Sequence, residues 1–178
     1  MGLISYYLAT SLDGFIAREN GAVDWLEPYQ FKLGTPYDYE PFYKSVSTVL
    51  MGRKTWVVAK SFEDRPYFDR KTFVVSKQIE DDQLPSYVSV LRKVELGFIK
   101  ELKDSTEGRV WIVGGSHLAS TLLELNLIDE IVQTIVPVTL GRGIPWILTH
   151  DCSAKWTLSD VFKCDRSVVQ LVYKRSHP

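Results

Sequence analysis

Three times in this chain a short apolar run stops at small or basic residues. The runs are Val49-Leu50-Met51 before Gly52-Arg53-Lys54-Thr55, Phe73-Val74-Val75 before Ser76-Lys77, and Trp111-Ile112-Val113 before Gly114-Gly115-Ser116-His117. Runs bounded in this way read as buried strands of a parallel sheet. In such sheets ligands bind beyond the carboxyl ends of the strands. A helix that starts there offers unpaired N–H groups and the positive end of its dipole, which suits phosphate. Glycine lets the backbone come close to a ligand. Three such ends on one sheet suit a dinucleotide.

The rest of the chain fits this architecture. Residues 3–10 read as a buried strand, followed by turn signals at Asp13-Gly14 and Asn20-Gly21. Residues 25–41 are rich in Pro, Gly and Tyr and read as a long loop, expected to act as a lid. Residues 40–45 predict a short helix, 48–51 a strand, 53–60 a helix, 72–76 a strand and 87–91 a weaker strand. Val94, Phe98 and Leu102 recur at intervals of four, so residues 91–103 predict an amphipathic helix. Residues 109–113 read as a strand, and 116–125 as a helix with Ser116 at its N-cap. Residues 130–137 read as a strand, Gly141-Arg142-Gly143 as a turn, and 156–162 with 168–174 as a hairpin about Cys164-Asp165-Arg166. The expected fold is α/β, one domain over residues 1–178. It has a central, mostly parallel sheet, helices on both faces and an antiparallel C-terminal hairpin.

Composition narrows the function. The 21 Lys and Arg against 22 Asp and Glu give a formal charge of −1. That argues against nucleic acid or an anionic membrane as partner. An apolar fraction of 45% and a charged fraction of 24% are globular values. Cys152 and Cys164 form neither a disulfide framework nor a CxxC motif and read as reduced thiols. His150 and His177 have no ligand spacing, so no metal is expected. The first residues lack a basic n-region and a cleavage site, and Tyr6 stands where a myristoylation motif needs Ser or Thr. No apolar run approaches the roughly 18 residues of a spanning helix. A cytoplasmic location is the expectation.

The strand ends favour a 2′-phosphorylated nucleotide. An NAD site usually offers a carboxylate to the adenosine ribose. Here the ends carry Arg53-Lys54 and Ser76-Lys77, with no acid among them. Neither GxGxxG nor the P-loop motif GxxxxGK[ST] occurs.

These stretches resemble the dihydrofolate reductase superfamily. Residues 9–20 (ATSLDGFIAREN) are similar to its N-terminal strand and loop. MGRKTW at 51–56 is similar to its cofactor motif, TFVVSK at 72–77 to its adenosine-side strand end, and WIVGG at 111–115 to its second glycine motif. The order and spacing agree over residues 1–136. SLDGFIA at 11–17, LIDE at 127–130 and VPVTLGRGIP at 136–145 look like one branch, the reductase domain of the bacterial riboflavin-biosynthesis deaminase-reductase (the RibD C-terminal type). The deaminase signature HxE…PCxxC is absent, so a stand-alone member is expected.

The resemblance implies a dihydrofolate reductase-like three-layer fold, NADPH as cofactor and hydride transfer to a small heterocycle. It implies that Ala9 and Ile16 contact the nicotinamide end, Gly52, Arg53, Lys54 and Thr55 hold phosphates, and Ser76 and Lys77 meet the 2′-phosphate. Val113, Gly114, Gly115, Ser116 and His117 would close over the pyrophosphate and nicotinamide, with a cis bond between the two glycines. Dihydrofolate reductases grip the pterin amino group with a carboxylate on the first helix. Asp38 is the nearest match, and Thr134 lies on the strand that partners that carboxylate. Asp13 is the second catalytic candidate, with water as the alternative proton source, and Arg142 is a candidate for a substrate phosphate. Each has a plainer reading: a helix cap for Asp38, turn chemistry for Asp13, a turn cation for Arg142. Trp25 reads equally as pocket wall or core.

The riboflavin branch implies 5-amino-6-(5-phosphoribosylamino)uracil as substrate. Dihydrofolate reductase activity and a catalytically silent nucleotide-binding module are the alternatives. Asp13→Asn and Asp38→Asn separate enzyme from module, because only an enzyme has turnover to lose. Val169, Leu171 and Tyr173 alternate along the last strand and need cover. With the family's habit of pairing, that makes a homodimer the expectation.

Overall fold

A computed structural model of the chain describes residues 2–29, 33–80, 84–148, 153–164 and 167–176. His150, Cys152, His177 and the hairpin-turn residues Asp165 and Arg166 lie outside them.

β1 (Leu3–Thr10) lies inside the main sheet, between β6 (Arg109–Gly114) and β7 (Glu130–Ile135), and is parallel to both. Its alternation suits burial on both sides. Ile4, Tyr6 and Leu8 point to one face, while Ser5, Tyr7 and Ala9 point to the other. β3 (Val46–Gly52) pairs with β6, β4 (Lys71–Val75) with β3, and β5 (Val88–Leu91) with β4, all in parallel. Beyond β7 the sheet turns antiparallel through β10 (Val169–Arg175) and ends at β9 (Trp156–Lys163). The order is β5-β4-β3-β6-β1-β7-β10-β9.

Helices cover both faces. α3 (Leu96–Ser105) and α4 (Ser116–Glu124) bury Ile99, Leu102, Leu118 and Leu122 against Ile4, Tyr6, Leu50 and Ile112. α1 (Tyr39–Lys44) and α2 (Arg53–Phe62) bury Phe42 and Trp56 against Val49, Met51, Val74 and Trp111. Tyr7 stacks on Phe42 with ring centroids 4.1 Å apart, and both meet Trp111 edge-on. Each fully buried apolar side chain contributes about 1.5–3 kcal/mol.

Several boundaries differ from the sequence reading. Leu91 belongs to β5, paired with Val75, so α3 starts only at Leu96. Gly115, not Ser116, is the N-cap of α4, and the Ser116 hydroxyl donates to the carbonyl of Pro145 instead. The loop expected over 25–41 contains a 3-10 helix, Asp24–Tyr29, in which Trp25 is buried. Two short strands, β2 (Phe15–Ala17) and β8 (Ile144–Pro145), form a separate antiparallel pair. At Gly143 this pair leaves no room for a side chain: a Cβ there would lie 2.3 Å from the carbonyl oxygen of Ala17. On β10 the fully buried residues are Gln170 and Val172, while Val169, Leu171 and Tyr173 are half-buried.

Candidate active site

The parallel register brings the carboxyl ends of the central strands into one row. Gly52 is level with Val75, Val75 with Leu91, Met51 with Gly114, and Ala9 with Thr134. The two glycine bends therefore face each other. A Cβ on Gly52 would come no nearer than 4.0 Å to the Gly115 nitrogen. Cβ atoms on Gly114 and Gly115 would meet only Thr55 within 4 Å, at 3.7 and 3.6 Å from its hydroxyl. The Gly114–Gly115 peptide is cis, and Gly114 has φ +145°, a region that favours glycine.

α2 and α4 start at these bends, at Gly52 and Gly115, without a side-chain cap. Neither has an acid in its first turn. That is unusual, because the N-terminal dipole end stabilises anions. α2 begins instead with Arg53 and Lys54, which form no ion pair among the described residues and cost about 0.3–1 kcal/mol each against the dipole. An anion lying between the two bends reverses that cost. The unpaired N–H groups at two helix starts are the kind of donors a pyrophosphate needs.

The adenosine side lies at the ends of β4 and β5. Ser76 is buried, and its hydroxyl accepts from the backbone N–H groups of Gln78 and Ile79, 3.1 Å each, which leaves its own proton free to donate. Beyond it an open cleft of about 600 Å³ is lined by Lys77, Leu91, Arg92, Lys93, Glu95 and Phe98, with Lys93 paired to Glu95. A second cleft, about 370 Å³, lies between Arg18, Asn20, Leu140 and Arg142. His117 is exposed on the first turn of α4, and Ile16 packs half-buried against the first core.

Asp13 is exposed but fully engaged. Its carboxylate accepts from the Ser11 hydroxyl at 2.6 Å and from the backbone N–H groups of Leu140 and Gly141 at 3.0 and 2.7 Å. The Ser11 hydroxyl, then the two amides, hold its pKa down at about 2. Asp13 is thus an anion that ties the first turn to the loop carrying Arg142. A carboxylate with a lowered pKa holds its contacts above its ordinary value of about 4 and loses them as pH falls through the lowered one. The Asp13 carboxyl carbon, followed by NMR, should titrate near pH 2 together with the amides of Leu140 and Gly141. A midpoint at the ordinary carboxylate value of about 4 contradicts the clamp.

The expected pairing of Asp38 with Thr134 does not form. Asp38 is the N-cap residue of α1, and its carboxylate accepts from the N–H groups of Leu33 and Gly34 at 2.6 and 3.0 Å. Thr134 is bonded instead by the side-chain amide of Gln170, 3.1 Å away. Sequence reasoning missed Gln170 and its second partner Thr35. The available signal was one amide among the apolar residues of β10. Tyr7 was missed as well. It is half-buried, and desolvation, with Asp38 nearby, pushes its phenol pKa up, so it stays neutral.

The fold and this strand-end row define the protein's class: a dihydrofolate reductase-like fold. The chain belongs to the RibD C-terminal domain family, which matches residues 3–170. It is 35% identical over 140 residues to the uncharacterized protein YwjB of Bacillus subtilis, covering 78% of this chain and 79% of YwjB. Among solved structures, the "Putative riboflavin biosynthesis protein" from Shewanella sp. PV-4 superposes with a TM-score of 0.85 at 27% identity, over 98% of this chain and 99% of that one. Two more distant structures share the fold. A dihydrofolate reductase from Enterococcus faecalis, complexed with NADP(H), has a TM-score of 0.66 at 22% identity, over 98% and 97% of the two chains. Acinetobacter baumannii RibD has a TM-score of 0.67 at 18% identity, with 99% of this chain covering 59% of that protein.

Proposed function

We propose that the protein is an NADPH-dependent reductase of the riboflavin-biosynthesis type, acting on a small heterocycle such as 5-amino-6-(5-phosphoribosylamino)uracil. The observation that carries this reading is the pair of uncapped, acid-free helix N-termini facing each other across Gly52 and Gly115. NADPH, when bound, supplies the hydride. The chain's own work is to bind, orient and exclude water.

Amides of Gly52–Thr55 and Gly114–His117 hold the phosphates, with Arg53 and Lys54 adding charge. The Ser76 hydroxyl and Lys77, beside the cleft at the ends of β4 and β5, hold the 2′-phosphate. Ala9, Ile16 and Val113 flank the nicotinamide. Substrate lies beside Thr134 on the α1 face, where Asp38 shapes the wall, and Arg142 meets its phosphate. Asp13, anionic at neutral pH, is a positioning residue for the Arg142 loop, and the proton comes from water. No helix among the described residues is long and apolar enough to cross a membrane. A cytoplasmic homodimer completes the reading, with the exposed Leu158 and Val161 of edge strand β9 as its contact.

Oxidation of NADPH and of NADH, each with the aminouracil and with dihydrofolate, tests this. NADPH with the aminouracil should turn over fastest. Combining Ser76→Ala with Lys77→Ala should narrow the preference for NADPH over NADH by about tenfold, the size expected for losing charge-assisted hydrogen bonds. Turnover of dihydrofolate alone, or of neither substrate, contradicts the reading.

A further inference from the structure

The side-chain amide of Gln170 is fully buried at the carboxyl end of β7, where it is cross-strand from Thr134. Its orientation is set by its partners. The carbonyl of Tyr37 can only accept, so the amide end 3.3 Å from it is the NH2 group. The other end, Oε1, then accepts from the Thr35 hydroxyl at 2.6 Å, and the Thr35 oxygen itself accepts from the Tyr37 N–H at 3.1 Å. The second amide hydrogen goes to Thr134 Oγ1, 3.1 Å away. Thr134 is therefore an acceptor toward Gln170, and its own proton has no acceptor among the described residues. The residue is half-buried and in register with Ala9, on the face that α1 covers.

We infer that Gln170 is a positioning residue that leaves Thr134 with a hydrogen-bond donor to offer, so that the site beside Thr134 favours a heterocycle presenting a carbonyl oxygen over one presenting an amino group. The inference rests on the reductase reading above and adds the polarity of its substrate contact. The two oxygens of the Asp38 carboxylate accept from the amides of Leu33 and Gly34, and neither is bonded to Thr134 among the described residues, so Thr134 offers its proton independently of that carboxylate. With one lone pair engaged by Gln170 and its proton unmatched, Thr134 holds a carbonyl oxygen through that proton, whereas an amino group can use only the remaining lone pair and leaves the proton unmatched.

Calorimetric titration of the aminouracil into protein saturated with NADP+ tests this without requiring turnover. Thr134→Val should weaken binding about tenfold, and Thr134→Ser should stay within about twofold of the native protein, as expected for one hydrogen bond. Gln170→Glu puts an acceptor where Thr134 now receives a proton, and so draws the hydroxyl inward. It should match the Thr134→Val loss at neutral pH, recover as the introduced carboxyl is protonated, and add nothing to Thr134→Val in the double variant. Gln170→Met, which carries no charge, should show a smaller loss with no pH dependence, and it serves if Gln170→Glu does not fold. Unimpaired binding by Thr134→Val overturns the inference and leaves the reductase reading standing. So do Gln170 effects that add in full to those of Thr134→Val. Failure of the native protein to bind NADP+ or the aminouracil overturns both.

Discussion

Gly115→Val should lower NADPH affinity by about a hundredfold, on the order of 3 kcal/mol, in a protein that still folds. The substitution is tolerable to the fold because Gly115 has no positive φ and its added Cβ meets only the Thr55 hydroxyl, at 3.6 Å. Its two methyl groups project into the space between the bends, where the phosphates must approach the amides of both α2 and α4. The same change at Gly114 is less informative, because φ +145° strains any side chain there. Intrinsic tryptophan fluorescence reads the binding, and a thermal melt reads the fold. Unchanged NADPH affinity with an unchanged melt would place the cofactor elsewhere.

Glu130→Ala should destabilise the fold by about 3 kcal/mol, at the low end for breaking a buried ion pair because Arg109 is partly exposed. Glu130, at the start of β7, is 2% exposed. Its Oε2 accepts from Ser5 Oγ at 2.7 Å and from Arg109 Nε at 3.0 Å, and Arg109 also donates to Ser45 Oγ at 2.8 Å. These contacts tie β1, β6 and β7 to the end of α1. Removing the carboxylate leaves a guanidinium packed over the rings of Phe42 and Tyr37 without its counter-charge. The double variant Glu130→Leu with Arg109→Met should recover most of the loss, because two apolar groups replace the pair without an orphan. Urea denaturation measures both. A loss below about 1 kcal/mol for Glu130→Ala would mean that the pair contributes no more than an exposed one.

The central strands were legible because burial on both faces makes them continuous apolar runs. Val49, Leu50 and Met51 are fully buried, as are Ile112 and Val74. The glycine bends were legible because small residues immediately follow those runs. What escaped depends on contacts distant in sequence. β2 and β8 have three and two residues and carry no periodicity of their own. They exist because residues 15–17 meet residues 144–145 across the fold. Leu91 continued the helical spacing of Val94, Phe98 and Leu102, and only its pairing with Val75 assigns it to a strand. Ser116 is a good N-cap by type, but Gly115 already occupies the cap and frees the serine to reach Pro145. On the substrate side, Asp38 and Thr134 were placed together by analogy. Their actual partners come from the preceding turn and from β10, and only the folded chain brings them there.

The most direct test of the central claim is the amide NMR spectrum of the native protein titrated with NADPH. The largest shift changes should fall on two sets of amides, 52–55 and 114–117, moving together with one affinity, and smaller ones on Ser76 and Lys77. Changes confined to one of the two bends, or centred away from both, would contradict a cofactor held between them.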